Sequence, residues 1–305
     1  MDINKAQDLA ASLRSKKPAT ANDLQVDPFF EEDPIVARVL EFAIKRRENI
    51  LLVGPTGCGK SGLAVNVMAR LKEQAEVFSC SGETSTDELI AKPWVVTENG
   101  QSITVVAYGA ALRAYKDGKG LLLEEVDFAV PDVLASMHRV MEVNSPNFVC
   151  NVGKEETIPK HKNFFVVATA NTIGTGEDTY LYAGTKVLNE AFKNRFSYCV
   201  RMGYIKPELE LKVLQNKTGI KKPEAEKMVQ IANDIRDQAD PTRTGGMSSA
   251  QTVASAISTR DLIAWGKLIV GLKMNPKEAA VYSFLNRTNE SDRDVIKTAI
   301  ENVFR

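Results

Sequence analysis

The sequence has no excess of charge of either sign, because its 39 Lys and Arg residues balance its 39 Asp and Glu residues. A chain without net charge has no general attraction to DNA, RNA or an anionic membrane, so binding to them would need local patches. Histidine is scarce, with two residues, and the four cysteines lie 22, 70 and 49 residues apart. These spacings match neither a zinc site nor a disulfide framework, and they favour a reducing compartment.

Long apolar runs are absent as well. No segment reaches the roughly 18 to 20 apolar residues that cross a bilayer, and the polar N-terminus lacks the apolar centre of a signal peptide. We therefore expect a cytoplasmic protein with no membrane partner. With 44% apolar and 26% charged residues, the 305-residue chain has the composition of a soluble globular protein, and its length suits two domains.

Buried strands and helical segments alternate from residue 28 onward. Apolar runs without polar alternation occur near residues 50–53, 120–126 and 163–171, and helical patterns lie between them. This pattern predicts an α/β fold, with a parallel sheet covered by helices on both faces. Two segments interrupt this alternation of strands and helices, and they predict β-hairpin inserts. One turns at Asn99-Gly100, and the other lies between residues 143 and 162.

The chain divides into three predicted regions. Residues 1–27 form a polar N-terminal arm, residues 28–204 the α/β core, and residues 205–305 a small helical domain. Four amphipathic segments predict the helices of that last region, namely PELELKVLQNKTG, PEAEKMVQIANDIRDQ, STRDLIAWGKLIVGLK and SDRDVIKTAIENVF.

A phosphate-loop pattern, GxxxxGK[ST], lies between a predicted buried strand and a predicted helix. Its glycines let main-chain N–H groups curve around an anion, to which the helix presents its positive end. Lys60 would reach the β and γ phosphates of ATP, and Ser61 would bind Mg²⁺. We favour a nucleotide site over a simple glycine turn, with these contact residues: Gly54, Pro55, Thr56, Gly57, Cys58, Gly59, Lys60 and Ser61.

Two carboxylates, Glu124 and Glu125, follow the second apolar strand. A phosphate loop works with such a pair, one carboxylate in the Mg²⁺ shell and one that polarises the attacking water. We assign Glu124 to the metal shell and Glu125 to catalysis. Asp127 leaves two interpretations open: a third carboxylate of the site, or a helix N-cap or solvated loop residue.

Asn171 ends the third apolar strand, where it could hold the attacking water or contact the γ phosphate. Taken alone, an Asn at a strand end is more often a turn residue. His138 has no second His or Cys nearby in its helix, so we interpret it as structural.

Together these residues resemble the AAA+ ATPases, and the order of phosphate loop, hairpin, acidic strand, second hairpin and ATAN resembles their MoxR branch. Within that branch the sequence is similar to the CobS subunits of aerobic cobaltochelatases. The supporting stretches include DPIVARVLEFAIKRRENILLVGPTGCGKS, VVATANTIGTGEDTYLYAGTKVLNEAFKNRF and STRDLIAWGKLI.

The resemblance implies roles for three residues. It makes Asn171 the sensor 1 residue, Arg195 the arginine finger offered to a neighbouring subunit, and Arg260 the sensor 2 residue of a helical lid. It further implies a ring, commonly a hexamer, that hydrolyses ATP with Mg²⁺ and remodels a protein client. A CobS-like role would support cobalt insertion into a corrin together with a von Willebrand A domain partner, whereas a general MoxR-type chaperone explains the same residues.

Glu124 departs from the family pattern, which has Asp-Glu at the acidic strand end. The extra methylene moves the carboxylate by more than the roughly 0.5 Å that a catalytic site tolerates. We therefore expect Glu124→Asp to keep or raise the rate of ATP hydrolysis. Slow hydrolysis also leaves a second function open, in which a nucleotide-loaded ring acts as an assembly scaffold or switch.

The two hairpins resemble the inserts that face the ring pore in this family and engage the client. The second carries basic residues, which predict either a rim for an acidic partner or nucleic acid, or an ordinary solvated hairpin: Lys154, Lys160, His161 and Lys162. Nucleic acid is the less favoured partner, because a helicase normally has a stronger basic bias.

Overall fold

The computed structural model describes residues 24–98, 101–142, 144–152, 155–172, 184–239 and 253–304. Most of the predicted N-terminal arm, the Asn99-Gly100 turn and Lys154 lie outside the described residues. Among the described helices, none combines the length and the apolar character needed to cross a membrane.

Strands and helices alternate through the first two thirds of the described chain. The helices of this part are α1 (Pro34–Lys45), α2 (Lys60–Arg70), α3 (Thr86–Leu89), α4 (Ala110–Asp117), α5 (Pro131–Val140) and α6 (Glu190–Lys193). The strands are β1 (Ile50–Val53), β2 (Ala75–Ser79), β3 (Ala91–Glu98), β4 (Gln101–Tyr108), β5 (Gly120–Glu124), β6 (Asn147–Cys150), β7 (Glu156–Pro159), β8 (Phe165–Ala170) and β9 (Tyr198–Arg201).

Five strands form one parallel sheet in the order β2-β5-β8-β1-β9. The predicted α/β fold is therefore confirmed. The edge strand β9 was not predicted, because its four residues alternate between half-buried and exposed and form no continuous apolar run. In the sheet it pairs with β1, with Ile50 opposite Tyr198.

The lack of alternation in the strands has a direct structural cause. In β1, Leu51 and Val53 point into the apolar cluster on one face of the sheet, and Ile50 and Leu52 into the cluster on the other. All four side chains are buried. Helices cover both faces, so every position of the strand favours an apolar residue.

Both predicted hairpins form antiparallel pairs outside the main sheet. Strands β3 and β4 pair along their whole length, and β6 pairs with β7. The hairpins therefore extend from the α/β layers without altering the strand order of the sheet.

The last third of the described chain is helical. It contains α7 (Pro207–Thr218), α8 (Lys222–Ala239), α9 (Thr259–Leu272), α10 (Pro276–Ser283) and α11 (Glu290–Val303). These helices enclose an apolar cluster of their own, with Trp265 fully buried in it. Helix α10 was not predicted, although Asn275 caps it and Pro276 occupies its first turn, because its eight residues form only a short pattern.

Candidate active site

The glycines of the loop at residues 54–61 have conformations and contacts that exclude larger residues. Gly57 and Gly59 have φ angles of +76° and +99°, in the left-handed region that favours glycine. A Cβ at Gly57 would lie 2.5 Å from Cβ of Ser258, and one at Gly54 would lie 2.2 Å from the carbonyl oxygen of Met202. The loop, which lies directly between β1 and α2, therefore needs glycine at these positions.

Lys60 is buried inside this loop and is bonded to it. Its ammonium donates to the carbonyl oxygens of Gly54 (2.7 Å) and Pro55 (3.0 Å) and to Oδ1 of Asn171 (3.0 Å). Burial lowers the pKa of Lys60, while nearby negative groups oppose that shift. An incoming phosphate would offer charged acceptors in place of neutral carbonyl oxygens.

The other residues of the loop have distinct surroundings. Ser61 is half-buried in the first turn of α2. Cys58 is buried, and burial raises the pKa of its thiol, so Cys58 packs as an apolar residue and carries no thiolate. Thr56 is exposed and donates its hydroxyl to Oδ1 of Asn171 (3.3 Å).

The two predicted carboxylates lie at the carboxyl end of β5. Glu124 is half-buried and accepts a hydrogen bond from the Ser79 hydroxyl (2.7 Å). Glu125 is exposed and has a φ of +56°, which is strained for a residue with a Cβ. Its N–H donates to Oγ1 of Thr169 on β8 (3.1 Å). Strand β8 lies between β5 and β1, and the three strands are parallel. Their carboxyl ends therefore meet at one edge of the sheet, which carries both these carboxylates and the loop.

Asp127 is fully buried, so the solvated loop residue is the wrong interpretation of it. Its Oδ2 accepts the N–H groups of Asn171 (2.9 Å) and Thr172 (3.3 Å), and its Oδ1 has no hydrogen-bond partner among the described residues. Burial raises the pKa of Asp127, and the two N–H groups oppose the rise. Asp127 therefore holds the turn that carries Asn171.

Arg260 approaches the loop from the helical part of the chain. Helix α9 begins at a capping box formed by Ser258 and Asp261, and Ser258 is the residue that touches Gly57. Arg260 is exposed on the first turn of α9, where it lines a pocket together with Gly59 and Phe30. The pocket is thus bounded by the loop, by residues 29–31 and by the helical part of the chain.

A second contact joins the loop to the helical part through Tyr204. Its hydroxyl donates to the carbonyl oxygen of Thr56 (3.1 Å), and its ring lies 3.9 Å from the guanidinium carbon of Arg236. Arg236 forms a buried, bidentate ion pair with Glu210 (2.8 Å for each bond). Sequence reasoning missed Tyr204, because only the folded chain brings residues 56, 204 and 236 together.

Arg195 lies away from this cluster, at the opposite edge of the sheet. Its carbonyl oxygen accepts a hydrogen bond from Nδ2 of Asn49 (3.0 Å). Asn49 immediately precedes β1, whereas the loop follows the end of β1. Four residues of strand separate those edges by roughly 13 Å. The guanidinium pairs with Glu142 (3.0 Å), and His138 lies nearby, stacked on Phe192.

The basic residues that end the second hairpin do not all face solvent. Lys160 folds back to donate to the carbonyl oxygen of Glu142 (3.0 Å), and burial lowers its pKa. His161 packs against Gly118 and accepts from the N–H of Asn163 (3.1 Å). Among the basic residues described in this segment, Lys162 is the exposed one, so Lys160 and His161 do not form the predicted rim.

Two family models match the chain in succession. The model described as AAA domain (dynein-related subfamily) covers residues 49–196, from the residue before β1 to the residue after Arg195. The model described as CbbQ/NirQ/NorQ C-terminal covers residues 210–305, the helical region with Arg260.

Curated relatives match over most of their length. The aerobic cobaltochelatase subunit CobS of Sinorhizobium sp. is 28% identical over 299 residues, which cover 97% of this chain and 87% of that protein. Protein YojN of Bacillus subtilis (strain 168) is 26% identical over 89% of this chain and 82% of its own length. A protein of Staphylococcus haemolyticus (strain JCSC1435) is 28% identical over 83% of this chain and 90% of its own length. With a phosphate loop on a parallel sheet and both family models matched in order, the chain belongs to the AAA+ ATPases of the MoxR type.

Proposed function

We propose that this protein hydrolyses ATP with Mg²⁺ as part of a ring, and that it remodels a protein partner. The observation that carries the proposal is the cluster at one edge of the sheet, where Lys60 and Asn171 are bonded beside the acidic end of β5. Phosphate binding and water activation need these groups together.

Each residue of the cluster has a role in this proposal. The loop N–H groups and Lys60 bind the phosphates, Glu125 polarises the attacking water, and Asn171 orients it. Oxygen donors suited to a small hard cation come from the Ser61 hydroxyl and the Glu124 carboxylate. Bound Mg²⁺ supplies charge neutralisation at the phosphate oxygens.

The two arginines act at different places. Arg260 reaches the nucleotide from the lid of the same subunit, so lid position would follow nucleotide state. Arg195 is too far from its own loop and would instead complete the site of a neighbouring subunit, which makes hydrolysis depend on assembly. A closed ring, commonly a hexamer in this family, gives every subunit such a neighbour.

The proposed client is a protein partner of the ring. The CobS relative is named as a subunit of an aerobic cobaltochelatase. From the resemblance to that family we propose a ring that works in the cytoplasm with a chelatase subunit and a von Willebrand A domain partner during cobalt insertion into a corrin. A general MoxR-type chaperone for another protein complex accounts for the same site residues, with nucleic acid as the less favoured partner.

Two features favour a second function, a nucleotide-binding ring with weak hydrolysis that acts as a scaffold or switch. Glu124 stands where a shorter carboxylate is usual, and Arg195 is already paired with Glu142 within its own subunit. Both features would slow hydrolysis without preventing nucleotide binding.

The test is steady-state phosphate release from Mg-ATP across a series of protein concentrations. We expect turnover per subunit to rise with concentration, because assembly supplies Arg195 to each site. Glu125→Gln should abolish it, since the amide keeps the shape of the side chain but cannot polarise water. Glu278→Gln, an exposed change on α10, is the matched control and should leave turnover unchanged.

Turnover that is independent of concentration would contradict the trans role of Arg195. Phosphate release no greater than that of Glu125→Gln, together with normal ATP binding, would favour the scaffold function.

A further inference from the structure

The Ser79 hydroxyl is bonded to the residue in which the acidic strand departs from the family pattern. Ser79 ends β2, and its register partner in β5 is Glu124, the last residue of that strand. The Ser79 Oγ donates to Oε2 of Glu124 (2.7 Å), and the next N–H, that of Cys80, donates to the Glu124 carbonyl oxygen (2.8 Å). Main chain and side chain of Glu124 are therefore both fixed by the end of β2.

A glutamate needs such a contact more than an aspartate does. Its side chain has one more rotatable bond, so holding its carboxylate in one place costs more conformational entropy. An aspartate on the same Cα would also end about 1.5 Å shorter, one carbon–carbon bond, and would not reach Ser79 in the same geometry. A hydrogen bond to one carboxylate oxygen still leaves lone pairs on the other.

The negative charges around Glu124 increase the need for a hydrogen-bond donor beside its carboxylate. Burial, with smaller contributions from the charges of Asp127, Glu125 and Glu124, raises the pKa of Cys80 to about 12. Three carboxylates thus lie within electrostatic reach of one buried thiol. The Ser79 hydroxyl offers one of them a hydrogen-bond donor without adding charge.

We propose that Ser79 is a positioning residue for Glu124. Its hydroxyl holds the longer carboxylate where it can act as an oxygen donor for the Mg²⁺ of the nucleotide. This inference rests on the proposed nucleotide site but not on turnover. It predicts that Ser79 matters only while residue 124 is a glutamate.

The experiment is a double-mutant cycle read by nucleotide binding. The affinity for a fluorescent ATP analogue is measured with Mg²⁺ and with EDTA for the unmodified protein, Ser79→Ala, Glu124→Asp and the double variant. Ser79→Ala should weaken Mg²⁺-dependent binding roughly threefold to tenfold, since the lost bond is exposed and competes with water. Binding in EDTA should not change.

Two controls separate positioning from a general effect. Ser79→Thr keeps a hydroxyl and should retain Mg²⁺-dependent binding. Ser81→Ala removes an exposed hydroxyl that bonds to Thr84 and to the N–H of Glu83, and it should have no effect on Mg²⁺-dependent binding.

In the Glu124→Asp background, Ser79→Ala should change nothing. An equal loss in both backgrounds, or no loss in either, would overturn the role of Ser79, and so would binding that does not respond to Mg²⁺. Failure of hydrolysis with an intact binding cycle would overturn the proposed ATPase function and leave this inference standing.

Discussion

Asp127 shows how one buried charge is tolerated close to the candidate site. The carboxylate is fully buried, and one of its oxygens is bonded to two main-chain N–H groups, while the other has no partner in the part of the chain that the structure describes. Burial raises its pKa. Within the unfolded chain the group would ionise more readily, so keeping it charged costs folding free energy.

We therefore predict that Asp127→Asn raises the free energy of unfolding at pH 8 by on the order of 1 kcal/mol, because a neutral amide oxygen still accepts from the turn. A carboxyl whose pKa is raised by folding loses stability as pH rises above its unfolded value, so the gain should shrink as pH falls toward 4. Thermal unfolding of both proteins between pH 4 and 8 measures this gain in the free energy of unfolding. Asp294→Asn, an exposed change, is the control, and a gain that is independent of pH would contradict the prediction.

At the scale of elements, a buried ion pair organises the start of α9. Arg236 on α8 bonds to Glu210 on α7 and to the carbonyl oxygen of Ile257 (2.7 Å). Glu210 also accepts from the Thr259 hydroxyl (2.6 Å), next to Arg260. Two helices thereby set the direction from which the third approaches the loop.

Arg236→Met should lower the free energy of unfolding by about 3–5 kcal/mol, because Glu210 would remain buried without its partner. Urea unfolding followed by tryptophan fluorescence reports the change through Trp265, which is buried in the same apolar cluster. Replacing both charges, with Glu210→Leu added, should recover much of the loss. A midpoint equal to that of Arg139→Met, an exposed control on α5, would refute the role of the pair.

At the scale of the whole molecule, the chain places its loop and Arg195 at opposite edges of one sheet. A single subunit therefore has an incomplete site if Arg195 takes part in hydrolysis. Two inactive variants should complement each other, since one can keep the loop intact and the other can keep the arginine.

We predict that Lys60→Ala and Arg195→Ala are each inactive and that mixing them restores part of the phosphate release. In mixed rings, the intact loop of an Arg195→Ala subunit would meet the arginine of a Lys60→Ala neighbour. The prediction is tested by measuring phosphate release by the mixture and by each variant alone at the same total concentration. A mixture as inactive as its components would argue against the trans arginine.

Local patterns were enough to predict much of this protein. The spacing of glycines, Lys60 and Ser61 predicts a phosphate loop, because such a loop is built from consecutive residues. Apolar runs without alternation predicted buried parallel strands, because both faces of the sheet are covered. The strand at residues 198–201 was not predicted, because a short edge strand has no continuous apolar run.

Contacts between distant segments were decided by the tertiary structure alone. The strand order brings Ser79 to Glu124, buries Asp127 beneath the turn at Asn171, and sets Arg195 at the far edge. The amino-acid sequence by itself determined the α/β class and the phosphate loop, since burial and anion binding act through neighbouring residues. Only folding decided which partners those residues meet, because strand order and helix docking depend on packing across the whole chain.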